Sequence, residues 1–169
     1  MATKRTKTTC PVCGADKATV ETVARALAPS AIMATVDEVT CKACGEVAEV
    51  WHRMAEVVEL ATRALLAKPR LLAPGEVAYL RQRLGWKGNE LAERLGVTPS
   101  SVSRWESGAV QILPLADRAL RAFVALARHI PLELAELGQI DTRDTTPLAL
   151  TLELTEVGWM PARPTRKAS

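Results

Sequence analysis

Aromatic residues are scarce in this sequence, which has one Tyr, one Phe and four Trp among 169 residues. Because 48% of the residues are nevertheless apolar, a core has to be built mainly from Leu, Val and Ala. This composition favours packed helices over sheets. We therefore predict a mainly α fold, large enough for one sizeable domain or two small ones, and exclude a chain that is disordered throughout.

Long apolar runs are also missing, since none approaches the roughly 20 residues that a membrane-spanning helix needs. The amino terminus has charged residues but lacks the apolar stretch of a signal peptide. We therefore expect a cytoplasmic protein with no membrane partner.

Neither sign of charge dominates, because the formal net charge is only +3. The distribution of charge is more informative than its sum. Lys4, Arg5 and Lys7 form a basic amino-terminal tail, and basic residues are in excess between positions 81 and 128. Acidic residues are concentrated around 37–59 and 133–156, so different parts of the chain suit partners of different charge.

All the cysteines occur in two C-x-x-C-G units, at 10–14 and 41–45. Each unit predicts a tight turn that directs two thiolates towards one metal ion. Four sulfur ligands with no open position fit a structural Zn²⁺ with bonds of about 2.3 Å, and they leave no place for a catalytic water. Iron in a rubredoxin-like site is also compatible with the spacing. The predicted ligands are Cys10, Cys13, Cys41 and Cys44.

A redox dithiol is the alternative use of C-x-x-C, but the βαβ context expected for it is missing. His52 follows the second pair and is not needed as a ligand, because four thiolates already satisfy the metal. β-branched residues between the pairs predict a small sheet around the metal. A module of about 50 residues has little core, so the metal should supply much of its folding free energy, on the order of 10 kcal/mol.

Helix-breaking residues divide the rest of the chain. Apolar spacing predicts a linker helix within 51–73, which Pro69 stops. Four short helices are expected from 74 to 130, with breaks at Gly85, Gly96 and the segment from Gly108 to Pro114. Alternating leucines between 148 and 154 predict one strand of unknown pairing. The predicted domains are a zinc module at 1–50, the linker helix at 51–73, a helical domain at 74–130 and an extension at 131–169.

Residues 88–105 have the pattern of two short helices that cross at a steep angle, a helix-turn-helix. Ala92 is small where the helices approach most closely, and Gly96 suits the left-handed turn between them. Thr98 is a good N-cap and Pro99 a good first helical residue. The second helix is therefore predicted to enter the DNA major groove. The shared core is expected to contain Leu91, Leu95, Val97, Val102 and Trp105.

Arg104 is the preferred base contact, because a guanidinium can donate to both acceptors of a guanine, which is worth about 1–3 kcal/mol of discrimination. Ser100, Ser101 and Ser103 are further exposed candidates on the same helix. Lys87 and Arg94 are better suited to phosphate contacts, which position the protein without specifying sequence. The alternative for Arg104 is a merely solvated side chain.

The segment Ser103–Gly108 resembles the end of the third helix in Xre/Cro/C1-type helix-turn-helix proteins, and the resemblance extends over roughly 74–130. It implies an ion pair between Arg81 and Glu106 that holds the first helix to the recognition helix. Lys87 is a candidate to replace the polar residue usual at position 88, where this chain has glycine. The implied DNA contacts are Gly88, Pro99, Ser100 and Arg104.

A four-cysteine module followed by this helix-turn-helix resembles the MqsA (YgiT-type) antitoxins, whose zinc ligands match the four cysteines. The resemblance implies a homodimeric autorepressor that binds a palindromic operator and neutralises a toxin through its zinc module. The alternative is a stand-alone Xre-type regulator whose zinc domain is structural. The residues after Pro131 are additional to the family pattern.

We expect no enzymatic activity. His52 and His129 are far apart in sequence, and no Ser or Cys has an evident activating partner. The metal shell is full, and there is no phosphate-binding glycine loop.

Overall fold

The computed structural model of the protein describes residues 6–162, so Lys4 and Arg5 of the predicted basic tail lie outside it. The strands are β1 (Thr6–Thr8), β2 (Ala18–Ala26), β3 (Met33–Cys41), β4 (Val47–Val50), β5 (Thr151–Thr155) and β6 (Gly158–Pro161). The helices are α1 (Met54–Leu66), α2 (Pro74–Arg83), α3 (Gly88–Leu95), α4 (Pro99–Ser107), α5 (Pro114–Arg128) and α6 (Leu134–Gly138). In this part of the chain no helix is both long and apolar enough to cross a membrane.

Strand β3 lies at the centre of the sheet, whose order is β1-β2-β3-β5-β6. β1 pairs antiparallel with β2, and β4 pairs antiparallel with the second half of β3. β5 pairs in parallel with the beginning of β3, where Met33 lies opposite Thr151. β5 and β6 form an antiparallel hairpin. One strand therefore joins segments that are more than a hundred residues apart in sequence.

The protein contains more sheet than its composition predicted, because strands account for 23% of the structure. The description as mainly α is therefore too strong, and the single strand predicted in the extension is in fact a hairpin of two. The alternating leucines mark β5, but β6 has only four residues and no alternation that would reveal it. Gly158, with φ of 131°, adopts a backbone conformation that favours glycine at the start of β6.

The chain divides into two compact units that depart from the predicted domain limits. The sheet unit consists of the described parts of 1–25, 33–57 and 150–169, and the helical unit consists of Ala26–Ile32 and Val58–Ala149. The predicted extension 131–169 is thus shared between the two units, and so is α1 within the predicted linker. The units are defined by contacts such as the pairing of β5 with β3, and these contacts join segments that are distant in sequence.

The helices predicted between 74 and 130 are present as α2 to α5. Gly85 and Gly96 end the first two of them with φ of 72° and 66°, in the left-handed region where glycine is favoured. Pro114 begins α5, as the break between Gly108 and Pro114 predicted. The inward faces are fully apolar at their centre, where the exposed fraction is 1% or less for Leu80, Leu91, Val102, Leu120 and Val124.

A salt bridge between Asp117 and Arg121 on α5 is completely buried in the helical unit. Arg121 Nε donates to Asp117 Oδ1 at 2.8 Å, and Asp117 Oδ2 accepts the backbone N–H of Leu72 at 2.7 Å. The last carbonyls of a helix have no hydrogen-bond donor within that helix. Arg121, on α5, donates to the last carbonyls of α1. Its Nη atoms donate to the carbonyls of Leu65, Leu66, Lys68 and Arg70.

A second buried ion pair joins Lys68 to Glu76, with 2.5 Å between Nζ and Oε2. Burial lowers the pKa of Lys68, and the hydrogen bond to Glu76 opposes this by favouring the charged amine. The Glu76 carboxylate also accepts the backbone N–H groups of Ala73 and Leu148, at 2.7 and 2.6 Å. The chain is thereby fixed in the helical unit shortly before it enters β5.

Gly75, in the first turn of α2, lies against the backbone of Pro29. A Cβ atom at position 75 would lie 2.1 Å from the Pro29 carbonyl oxygen, well inside van der Waals contact. We predict that Gly75→Ala destabilises the helical unit by about 1–3 kcal/mol, because backbone atoms would have to move apart. Urea unfolding followed by circular dichroism measures this change.

Gly138→Ala is the matched control, because nothing lies within 4 Å of a Cβ at that position in α6. We expect this variant to keep or slightly raise the unfolding midpoint, since alanine reduces the entropy of the unfolded chain. Equal midpoints for the wild type and Gly75→Ala would show that the close approach to Pro29 is wrong.

Candidate metal centre and nucleic-acid interface

The two C-x-x-C-G units form matching turns in the sheet unit. Gly14 and Gly45 have φ of 74° and 75°, and their N–H groups donate to the carbonyls of Cys10 and Cys41, both at 3.0 Å. The left-handed conformation at each glycine reverses the chain directly after the second sulfur of the pair. The two turns therefore present their sulfur atoms in the same way.

The four sulfur atoms lie within 4.8 Å of one another. The Sγ atoms of Cys10 and Cys44 are 3.9 Å apart, and those of Cys13 and Cys41 are 3.8 Å apart. A tetrahedron with metal–sulfur bonds of 2.3 Å has edges of about 3.8 Å. The arrangement thus fits a four-coordinate metal ion, and the predicted ligands are brought together.

Backbone amides donate to sulfur in both turns and favour the ionised form of the Cys41 thiol. The N–H groups of Val12 and Ala43 donate to the sulfurs of Cys10 and Cys41, at 3.4 and 3.3 Å. Hydrogen bonds from the amides of Cys44 and Ala43 lower the pKa of the Cys41 thiol to about 6. A thiolate is the form that binds a metal, so at Cys41 the turn geometry and the electrostatics act in the same direction.

His52 lies apart from the sulfur cluster. Its Nε2 atom is 2.9 Å from Asp37 Oδ2, and Asp37 also accepts a hydrogen bond from Thr22 at 3.0 Å. Within residues 6–162, the group that could hold a metal consists of the four cysteines alone. His52 is therefore a hydrogen-bonding partner of Asp37 and lies outside the group of cysteines, as the predicted ligand set has it.

Helices α3 and α4 have the predicted helix-turn-helix geometry. Gly96 ends α3, and the N–H of Val97 returns to the carbonyl of Ala92 at 2.9 Å. Thr98 is the N-cap of α4, with its Oγ1 accepting the N–H of Ser101 at 3.2 Å, and Pro99 is the first helical residue. The predicted core is formed by Leu91, Ala92, Val102 and Trp105, which are buried, while Leu95 and Val97 are half-buried.

The predicted ion pair between Arg81 and Glu106 is present and has two hydrogen bonds. Arg81 Nε lies 2.6 Å from Glu106 Oε1, and Nη2 lies 2.9 Å from Oε2. The hydrogen bond to Glu106 raises the pKa of Arg81, although burial acts in the opposite direction. Arg81 Nη1 also donates to the carbonyl of Trp86 at 2.7 Å. The pair therefore joins α2 to the end of α4 and to the loop before α3.

The candidate DNA contacts on α4 are accessible, but their hydroxyl groups are not equally free. The Oγ atoms of Ser100 and Ser101 lie 2.8 and 2.9 Å from Thr98 Oγ1. Ser103 and Arg104 are exposed, and the side chain of Arg104 has no hydrogen-bond or ion-pair partner among the described residues. Arg104 is thus the candidate whose donors are most available.

The two candidate phosphate contacts are exposed near opposite ends of α3. The Lys87 backbone N–H donates to Glu90 at 2.5 Å. The Arg94 guanidinium lies 4.3 Å above the ring of Trp86, and this ring packs edge-on against Phe123 at 5.6 Å. The role of Trp86 was not predicted from the sequence, where the one indication of it is an aromatic residue eight positions before Arg94. The stacking orients the guanidinium while leaving its in-plane donors available.

These features of α3 and α4, with the N-cap at Thr98 and the ion pair of Arg81 and Glu106, are those of a helix-turn-helix. Residues 77–137 match the helix-turn-helix family model. This match supports a DNA-binding regulator of the Xre type. Neither the curated proteins nor the solved structures that were compared with the chain gave a match. The resemblance to the MqsA antitoxins therefore stays a prediction.

We predict one tightly bound Zn²⁺ per chain and a loss of stability in the sheet unit when a chelator removes it. The four sulfur ligands would link the two C-x-x-C-G turns through one metal ion, and such structural sites contribute an apparent free energy on the order of 10 kcal/mol. Elemental analysis gives the identity and stoichiometry of the metal, and thermal unfolding with and without chelator gives the stability.

Cys41→Ser removes a buried ligand and should abolish metal binding. Val12→Ala is the matched control, because this side chain is 62% exposed and only its backbone N–H contacts a sulfur. The control should bind metal as the wild type does. A reduced wild-type chain that holds no metal and does not respond to chelation would contradict the metal centre.

Proposed function

We propose that the protein is a sequence-specific DNA-binding transcription regulator whose α4 enters the major groove. The observation that carries the proposal is the helix-turn-helix geometry of α3 and α4, fixed to α2 by the bidentate pair of Arg81 and Glu106. Rigid presentation matters because a base contact requires hydrogen bonds of defined direction.

Helix α4 is held at both ends and offers one polar face between them. Thr98 caps its first turn, and Glu106 anchors its last turn. Ser103 and Arg104 lie three and four residues after Ser100, so both lie on the same side of the helix as Ser100. We assign base recognition to Arg104 and place Ser100, Ser101 and Ser103 at the same surface.

Phosphate contacts are assigned to Lys87 and Arg94. Lys87 precedes the first residue of α3, where the partial positive charge of a helix N-terminus adds to that of the ammonium group. Arg94 is oriented by Trp86. These contacts would set the register of α4 in the groove without adding sequence preference.

A homodimer on a palindromic operator is the assembly that this proposal includes. Support comes from one face of α5, where the exposed Leu115 and Leu126 are joined at three- and four-residue spacing by Ala119 and Ala122, since a contiguous apolar patch marks an interaction surface. Related dimers place their half-sites about 34 Å apart along the duplex. The proposed role is repression of the protein's own operon, and it includes no catalytic step.

The finer proposal is an antitoxin that binds a toxin through the zinc module. Its support is the order of the two modules and the cysteine spacing that resembles the MqsA family. The acidic residues around 37–59 add little support for binding a basic toxin, because several of them already have partners within the chain. Glu38 and Glu49 both contact Arg25, and Asp37 contacts His52. These internal ion pairs favour the second candidate, a stand-alone regulator with a structural zinc domain.

Arg104→Ala should weaken binding to the operator and relax the preference at one base position by about 1–3 kcal/mol. Lys87→Ala should instead weaken binding to all sequences and reduce the slope of log K against log salt by about 1. Binding curves on operator and random duplexes at several salt concentrations distinguish the two effects.

Arg143→Ala is the control, because this exposed arginine lies outside the helix-turn-helix, and its side chain is 92% exposed. It should not change either measurement. Equal losses on operator and random DNA for Arg104→Ala would contradict its assignment to base recognition.

If the chain is an antitoxin, an adjacent reading frame encodes a small basic protein that is toxic alone and is neutralised by this chain. Co-expression with the wild type and with Cys41→Ser tests both the partner and the need for an intact zinc module. Growth rescue by the wild type alone is expected for the antitoxin. A neighbouring gene without toxicity would leave the stand-alone regulator as the function.

A further inference from the structure

Three lysines from separate segments of the sheet unit surround one shallow depression beside the cysteine turns. Lys7 belongs to β1, Lys17 immediately precedes β2, and Lys42 lies within the second C-x-x-C turn. The depression has a volume of about 220 Å³, and Asp16, Ala18 and Thr19 complete its lining. We call the three lysines together the lysine cluster.

Backbone pairing holds the lysine cluster together. Lys7 lies opposite Thr19 in the β1–β2 ladder, and the N–H of Lys42 donates to the carbonyl of Lys17 at 3.1 Å. The proximity of the three lysines therefore results from backbone contacts and not from interactions between their side chains. The β1–β2 ladder fixes the Cα position of Lys7, and the hydrogen bond between Lys42 and Lys17 fixes the second cysteine turn beside the start of β2.

The ammonium groups of the lysine cluster are available for an external anion. All three residues are exposed, and within residues 6–162 none of their side chains forms an ion pair or a hydrogen bond. Asp16, the acidic residue in the lining, accepts a hydrogen bond from Thr9 Oγ1 at 2.6 Å. Even with this carboxylate included, the depression has a positive excess.

Two alternatives explain the lysine cluster less well. Lysines that compensated a tetrathiolate centre by direct hydrogen bonds would contact sulfur, but, apart from the contacts between the sulfurs themselves, the hydrogen bonds to sulfur that the described residues show come from backbone amides. A protein interface would usually contain aromatic or Arg anchors and few lysines. The lining here has no aromatic residue and no arginine.

We propose that the lysine cluster binds the phosphate backbone of the DNA that flanks the operator. This inference rests on the proposed function, because it requires the helix-turn-helix to bring the protein to DNA. Once α4 is bound, the sheet unit of the same chain meets DNA at a high effective concentration. Contacts that are too weak to be measured in isolation can then add to the affinity.

The test compares the wild-type chain with a variant carrying Lys7→Gln, Lys17→Gln and Lys42→Gln together. Each protein is titrated with a short duplex limited to the operator and with a long duplex that extends it by about one helical turn on each side. We expect the variant to match the wild type on the short duplex and to bind the long duplex more weakly. The salt slope on the long duplex should fall by about 1 for each phosphate group that the variant no longer neutralises.

Arg53→Gln provides a charge control, because this exposed residue of the sheet unit lies outside the depression and contacts Glu56. It should bind both duplexes as the wild type does. Identical binding of the triple variant and the wild type to the long duplex would overturn the inference. So would a triple variant that loses metal but keeps its DNA affinity, or one that loses only binding to a protein toxin.

Failure of the proposed function gives a different result. If the wild type does not bind the short operator duplex at low salt, the assignment of α4 is wrong. If it binds the short duplex normally and binds the long one no more tightly, only the role of the lysine cluster is wrong.

Discussion

The buried salt bridge of Asp117 and Arg121 is the interaction on which the helical unit depends. It satisfies the carbonyls at the end of α1 and the N–H of Leu72, two residues before α2 begins at Pro74. Removing one partner from a buried pair of this kind costs about 3–5 kcal/mol, because the other charge is left without compensation. The start of α2, and with it the position of Arg81, therefore follows from a contact that involves none of the candidate DNA-binding residues.

The candidate DNA-binding surface is connected to this buried salt bridge through α2, which carries Arg81. Arg81 reaches from α2 to Glu106 on α4 and to the carbonyl of Trp86, whose ring supports Arg94 on α3. The proposed base-contact helix and one proposed phosphate contact are thus connected through the guanidinium of Arg81. A change at Arg81 would affect both the register and the orientation of the surface, which explains why a half-buried ion pair is used where an exposed one would contribute little.

Sequence patterns predicted the local features of the protein better than its long-range contacts. Gly96, Thr98 and Pro99 specify the turn and the start of α4 through their own backbone preferences, and the paired C-x-x-C-G units specify the sulfur turns in the same way. The pairing of β5 with β3 and the capping of α1 by Arg121 each depend on residues that are distant in sequence, and the stacking of Arg94 on Trp86 joins a helix to the loop before it. A single sequence carries no periodicity for such contacts, and a four-residue strand such as β6 is too short to show one.

The carboxyl-terminal hairpin changes how the folding of the sheet unit should be understood. The sequence suggested a module of about 50 residues that depends largely on its metal, but Trp159 of β6 is only 6% exposed and its Nε1 donates to the carbonyl of His52 at 3.0 Å. Burial of about 150–250 Å² of such a ring contributes at most about 4–6 kcal/mol at 25 cal/mol per Å². This is the same order as the contribution expected from the metal. Strand β3 is therefore stabilised from both ends, by the sulfur cluster at Cys41 and by the hairpin at Met33, and the second of these contributions remains when the metal is lost.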